Sequence, residues 1–138
     1  MRLVVDTNVV VSALLWGGTP KALFDLAETV ELSFCTSRAL LDELASVLSR
    51  RKLAKTLSAI HATPASLMRY YQGFTHIVQP RSIRRVVPDD ADDDQVIACA
   101  LAARANLIVS GDRHLLSLKR HRHIHILSPA ATVRLIGR

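Results

Sequence analysis

With 138 residues, 49% of them apolar and only 4% aromatic, the chain suffices for one domain whose core is packed by Leu, Val, Ile and Ala, without a disulfide framework or structural metal. Eighteen Lys and Arg against twelve Asp and Glu leave a net charge of +6, which favours a polyanionic partner. Cys35 and Cys99 lie in apolar runs without CxxC spacing and read as buried free thiols, and neither a signal-peptide pattern nor a bilayer-length apolar run is present, so a cytoplasmic protein is expected.

Leu3 to Val5 is a continuous apolar run ending in Asp6, the form of a strand buried on both faces of a parallel sheet. A short helix is expected from Val9 to Leu15, a turn at Trp16, Gly17 and Gly18, and a helix from Pro20 to about Thr29 capped by Thr19. Leu32 to Thr36 reads as a second strand. Ser37 then caps a helix with Leu40, Leu41, Leu44, Val47 and Leu48 on one face. Residues 51 to 74 read as helical with a break and restart at Thr63 and Pro64, followed by a strand at Ile77 and Val78. The acidic stretch 89 to 94 leads into a helix over Gln95 to Arg104 that is apolar on almost every side. Strands at Leu107 to Ser110 and Ile124 to Leu127 follow, and Ser128 with Pro129 starts a last helix. Strands alternating with helices predict a single domain over residues 1–138, a three-layer α/β/α sandwich around a parallel sheet of about five strands.

The charges are segregated. Residues 50–85 carry eight Lys and Arg and no acid, and residues 113–138 carry six and no acid, while Asp89, Asp90, Asp92, Asp93 and Asp94 crowd one stretch. In an open parallel sheet, ligands bind beyond the carboxyl ends of the strands. Asp6 ends the first strand, Asp112 follows LIVS by one glycine, and the acidic stretch precedes a helix that starts at the same edge. At 100° per residue Glu43 falls on the flank of the apolar face of its helix, where an ordinary boundary Glu also sits, and Asp42 points away. A single acid at any of these places reads equally as a helix cap worth about 0.3–1 kcal/mol. Several converging on one rim repel one another unless a cation neutralises them, and all-oxygen ligands select a hard ion, Mg²⁺ or Mn²⁺. That chemistry is metal-assisted phosphodiester hydrolysis, with one metal or two.

Three blocks, VVDTNVVVSALLWGG, SRALLDELASVLSR and DADDDQVIACALAARANLIVSGDRHLL, together resemble the PIN domain, in its group of VapC-like toxins of toxin–antitoxin modules. The resemblance covers most of the chain and thins between residues 52 and 80. It implies an acidic set of Asp6, Glu43, Asp93 and Asp112 acting as metal ligands and catalytic residues, with Asn8 and Ser110 orienting water or ligands beside them. The triple Asp92, Asp93, Asp94 leaves the register open by one; the family's paired Asp favours Asp93, with Asp94 and Asp90 supporting it. Arg50, Arg51 and Arg113 are candidates for holding RNA. The resemblance further implies a Mg²⁺- or Mn²⁺-dependent endoribonuclease, a homodimer, and a small antitoxin protein as partner. Where relatives have proline this chain has Ala91.

Other readings compete. His121, His123 and His125 would share one face of a single strand but lack a fourth zinc ligand nearby, so a solvated strand start is expected. Tyr70, Tyr71 and Phe74 sit at helical spacing with Leu67 and read as core or dimer contact before base-stacking residues. A phosphoacceptor domain needs an acid ending a central strand and a late Lys, neither of which is apparent. A non-catalytic RNA-binding protein has no use for mutually repelling carboxylates. A DNA or flap-type nuclease would share the chemistry but use long insertions that this short chain lacks.

Overall fold

The computed structural model describes residues 1–26, 32–80 and 91–137, with residues 91–93 described by their backbone alone. The chain order is β1 (Arg2–Val5), α1 (Thr7–Leu15), α2 (Gly18–Leu26), β2 (Ser33–Ser37), α3 (Arg38–Leu48), a 3₁₀ turn (Arg51–Leu53), α4 (Ala54–Ala59), α5 (Pro64–Gln72) and β3 (Thr75–Val78). It continues through α6 (Ala91–Ala103), β4 (Leu107–Val109), α7 (Arg113–Leu118), β5 (Arg120–His121), β6 (Ile124–Leu127) and α8 (Pro129–Ile136).

The described strands form one six-stranded sheet in the order β3-β2-β1-β4-β6-β5, parallel except for β5. From β1 the chain steps outward to β2 and β3 on one side, and later lays β4, β6 and β5 on the other. The direction of winding therefore reverses between β1 and β4, where adjacent connections leave in opposite directions and open a crevice.

Alternation along the strands explains the layers. Leu3, Val5, Phe34, Leu107 and Val109 face one core with Leu23, Phe24, Leu41, Leu44, Leu48 and Tyr71 from the helices. Val4, Cys35, Ile108, Ile124 and Ile126 face the other, covered by Val96, Ile97, Cys99, Ala100 and Leu115. Small residues on α6 let that helix approach the sheet closely. Aromatic edge-to-face contacts tie Phe24, Phe34 and Phe74 together, with Tyr71 stacked on Phe24, so Tyr71 and Phe74 serve the core while Tyr70 is exposed.

Helix starts follow local chemistry. Ser37 Oγ accepts from the Leu40 N–H, Thr63 and Ser66 form a reciprocal capping box ahead of Pro64, and Ser128 Oγ accepts from the Ala131 N–H before the Pro129 turn. Several boundaries differ from expectation. The second helix begins at Gly18, before Pro20, and the continuation to Thr29 lies outside the described residues. The strand expected at Ile77 starts at Thr75, and the short helix α7 follows Asp112 directly.

The largest correction is at the histidines. The HRHIH stretch is not one strand: the chain reverses at Arg122 and His123, and β5 pairs antiparallel with β6, Arg120 opposite His125 and His121 opposite Ile124. His121 and His125 thus sit on separate strands, which ends any single-face arrangement and raises the strand count from five to six. No single helix among the described residues is long and apolar enough to cross a membrane.

Candidate active site

Asp6 occupies the end of β1 and the N-cap of α1, its carbonyl accepting from the Val9 and Val10 N–H groups. An Asp at that place ordinarily caps with its side chain. Here the side chain makes no capping bond and instead accepts from the Ser110 hydroxyl, Oγ to Oδ2 2.8 Å. The carboxylate is only 8% exposed and the serine is fully buried. Forgoing a cap loses about 1 kcal/mol, and burying a carboxylate costs more, so structure alone does not account for this acid.

Ser110 also ties in the end of β4. Its Oγ accepts from the Asp112 N–H at 3.0 Å, fixing the loop beyond β4 against Asp6. Asp112 then caps α7, Oδ1 accepting from the His114 N–H at 2.8 Å. Oδ2 has no protein partner among the described residues. One buried hydroxyl therefore links the Asp6 carboxylate to the backbone N–H of Asp112, 106 positions away in sequence, at the reversal between β1 and β4. Beside them Asn8, Val9, Ser12, Pro20, Gly111, Asp112 and Pro129 line a cleft of about 370 Å³, with Asn8 exposed in the first turn of α1.

Of the other candidate acids, Asp94 and Glu43 lie on helices that start at this edge of the sheet. Asp94, in the second turn of α6, is 9% exposed and borders a cleft of about 600 Å³ that includes Ser37 at the end of β2, Arg38, Val78 and Gln95. It lies three and four positions before Ile97 and Ala98, both buried, so it shares their inward face. Asp93 is in α6, but its side chain lies outside the described residues, as does the whole of Asp90. Glu43 is half buried on α3, the helix capped by Ser37 and packed on α1; Asp42 is exposed, as the helical spacing predicts. Among the described residues no three of His, Cys, Asp and Glu come together as a group that could hold a metal ion.

Arg113 is exposed immediately after Asp112, at the rim. Arg50 and Arg51 are elsewhere. They follow the far end of α3, about 16 Å along the helix from Ser37, and line a separate cleft with Ser58, His61, Thr63 and Pro64. The dense basic run that pointed to them carries no information about which end of the helix it occupies.

Beneath the rim Cys35, Cys99 and Tyr71 are buried. Burial, and then the neighbouring Cys35, push the Cys99 thiol up to about 12 despite a hydrogen bond with Ser37, and burial raises Cys35 and Tyr71 as well. None of these groups ionises near neutrality. The negative charge at this edge belongs to the carboxylates alone, against a low-dielectric backing that strengthens their attraction for a cation. A hard ion fits this donor chemistry, with few protein oxygens and other positions open to water or phosphate.

The chain is thus an α/β protein with a switch-point crevice bordered by oxygen donors. The chain belongs to the PIN-domain family, whose model matches residues 2–114. It is 29% identical over 120 residues to the uncharacterized protein MJ1680 of Methanocaldococcus jannaschii, covering 86% of this chain and 76% of that protein. The fold also matches a structure of VapBC2 from Rickettsia felis bound to a DNA fragment from their promoter, with a TM-score of 0.63, 14% identity and coverage of 93% of this chain and 98% of that one.

Proposed function

We propose that this chain is a metal-dependent endoribonuclease that hydrolyses phosphodiester bonds in single-stranded or structured RNA. The observation that carries this reading is the pair Asp6 and Asp112, held at the switch point through buried Ser110, with the Asp6 side chain withdrawn from the capping bond its position offers. Membership of the PIN family, whose members are typically metal-dependent nucleases, supports it. Bound Mg²⁺ or Mn²⁺ would lower the pKa of a water and neutralise charge on the phosphate.

Asp6 and Asp112 would hold that ion, with Asp94 as third acid and Glu43 flanking. The burial and inward face of Asp94 favour it over Asp93, the residue that the family pattern suggested. Ser110 positions: by donating to Asp6 Oδ2 it fixes which carboxylate edge faces the crevice. Asn8, exposed beside Asp112, is placed to orient water or a phosphate oxygen, and Arg113 to attract the strand. The fold match to a VapBC2 structure supports a further reading, that the chain is the toxin of a type II toxin–antitoxin pair, a homodimer with a small antitoxin protein as partner.

The deciding variant is Asp6→Asn, assayed on single-stranded RNA, a DNA flap and duplex DNA with Mg²⁺ or Mn²⁺. The expected result is RNA cleavage by the wild type and loss of at least 100-fold in the variant (on the order of the 10²–10⁴ typical of such groups), with folding unchanged. Unchanged cleavage by the variant would refute the assignment. Cleavage confined to the flap would replace RNA by DNA as substrate.

A further inference from the structure

The edge of the sheet opposite the carboxylates carries a basic belt. Parallel strands β1, β4 and β6 all begin there, α6 ends there, and the β5–β6 turn projects from it. Arg104 follows α6, Arg120 is on β5, Arg122 and His123 form the turn, and His125 is near the start of β6; all five are exposed. Hydrogen bonds lock the strand starts into one unit. Arg2 N–H donates to Asn106 Oδ1 and the Arg2 guanidinium to the Ala103 carbonyl, while the Asn106 carbonyl accepts from the His125 N–H. At about 4.8 Å per strand, the belt from β1 to β5 is about 14 Å long.

Two features set it apart from ordinary surface charge. Among the described residues none of its arginines is in an ion pair; the ion pair present is Lys21 with Asp25, elsewhere. The acids Glu28 and Glu31 lie outside the described residues. Second, Arg104, Lys119 and Arg122 adopt left-handed backbone, with φ of 53°, 58° and 57°. Glycine takes that conformation without strain, whereas a side chain there is disfavoured. Favourable charge at a helix C-terminus offsets that cost for Arg104 and Lys119, but Arg122 is in a hairpin turn and has no such compensation.

We infer that this belt binds the phosphate backbone of a single-stranded nucleic acid, at a site separate from the carboxylate rim and independent of metal. Guanidinium forks match phosphate oxygens in pairs, and a line of them along a sheet edge fits a linear polyanion better than a flat lipid surface. The inference goes beyond the nuclease reading and stands without it.

The test is the double variant Arg104→Gly/Arg122→Gly. Glycine suits both backbones, so the melting temperature is expected to hold or rise. Binding of a fluorescent oligothymidylate of about 20 nucleotides is measured in EDTA between about 50 and 200 mM salt. The wild type is expected to bind with strong salt dependence. The double variant should bind at least ten-fold more weakly at low salt, its log–log slope reduced by about 1.4, or about 0.7 for each lost contact. Arg120→Gln, at an exposed strand position, should lower the slope by about 0.7 and serves if the double variant fails to fold. Wild-type affinity and slope in all these variants would overturn the inference, as would an effect seen only with phosphatidylserine vesicles. Asp6→Asn should bind the oligonucleotide normally, so this result and the cleavage result fail independently.

Discussion

Ser110 is the residue on which the geometry of the site turns. It is fully buried, donates to the Asp6 carboxylate and accepts from the Asp112 backbone N–H. Ser110→Ala leaves a buried carboxylate short of a donor, at a cost of about 1–3 kcal/mol. Its effect on cleavage and metal affinity is expected to be about 10–100-fold, the usual scale for a residue that orients a ligand. Melting curves and Mn²⁺ titration check both; a variant with wild-type values would show that Asp6 is oriented by something else. The acid at the strand end was legible from the sequence because an apolar run stopping at Asp is unambiguous. The serine's double role was not, since nothing in LIVSGD says that its hydroxyl turns toward a strand 104 residues away.

Cys99 gives a second prediction at this scale. Its thiol is raised from the ordinary 9.0 to about 12 in the folded protein, so the unfolded chain ionises first as pH climbs. The contribution of the neutral thiol is fully present below pH 9.0 and is lost between there and about 12, at about 1 kcal/mol per pH unit. Cys99→Ala should therefore lose less stability than the wild type over that range in denaturant titrations at stepped pH. Parallel curves would contradict the assigned burial. Both thiols should also resist alkylation at pH 8 until the protein is unfolded, being buried and protonated.

At the scale of elements, α6 explains what periodicity can and cannot deliver. Val96, Ile97, Ala98, Cys99, Ala100 and Ala103 are all buried, so the sequence correctly reads as a deeply packed helix. A helix apolar all round has no pattern by which to set its rotation, and the choice between Asp93 and Asp94 stayed open for that reason. Packing on β1 and β2 turns Asp94 inward with Ile97 and Ala98, and the proposal of Asp94 rests on that placement. Asp94→Asn is expected to abolish cleavage and to weaken Mn²⁺ binding more than Asp93→Asn; the reverse order would return the role to Asp93. The amphipathic α3, by contrast, was read in full: five Leu and Val inward, Asp42 outward and Glu43 between. The β5–β6 turn failed for a chemical reason. HRHIH alternates like one strand and lacks the glycine or asparagine that marks a tight turn, because an arginine occupies the left-handed position.

Among the described residues, the candidate acids and the belt arginines sit at opposite ends of the strand axis. Strand ends and helix starts gather Asp6, Asp94 and Asp112 at one edge, while strand starts and helix ends gather arginine and histidine at the other. The sign at each edge agrees with the helix dipoles, which present positive ends to the acids and negative ends to the bases. Net charge, a scalar, favours a polyanionic partner but says nothing of this division. Arg50 and Arg51, beyond the far end of α3, should accordingly affect substrate affinity without changing the rate at saturation. Kinetics of Arg50→Gln/Arg51→Gln check that split.

The central claim is that carboxylates from separate strands and helices grip a divalent ion beside Ser110. Calorimetric titration of Mn²⁺ into wild type and Asp6→Asn, at neutral pH and without nucleic acid, tests it most directly. Saturable binding by the wild type, weakened at least ten-fold in the variant, is the predicted result (about 1.4 kcal/mol or more). Equal binding by the two proteins would contradict it.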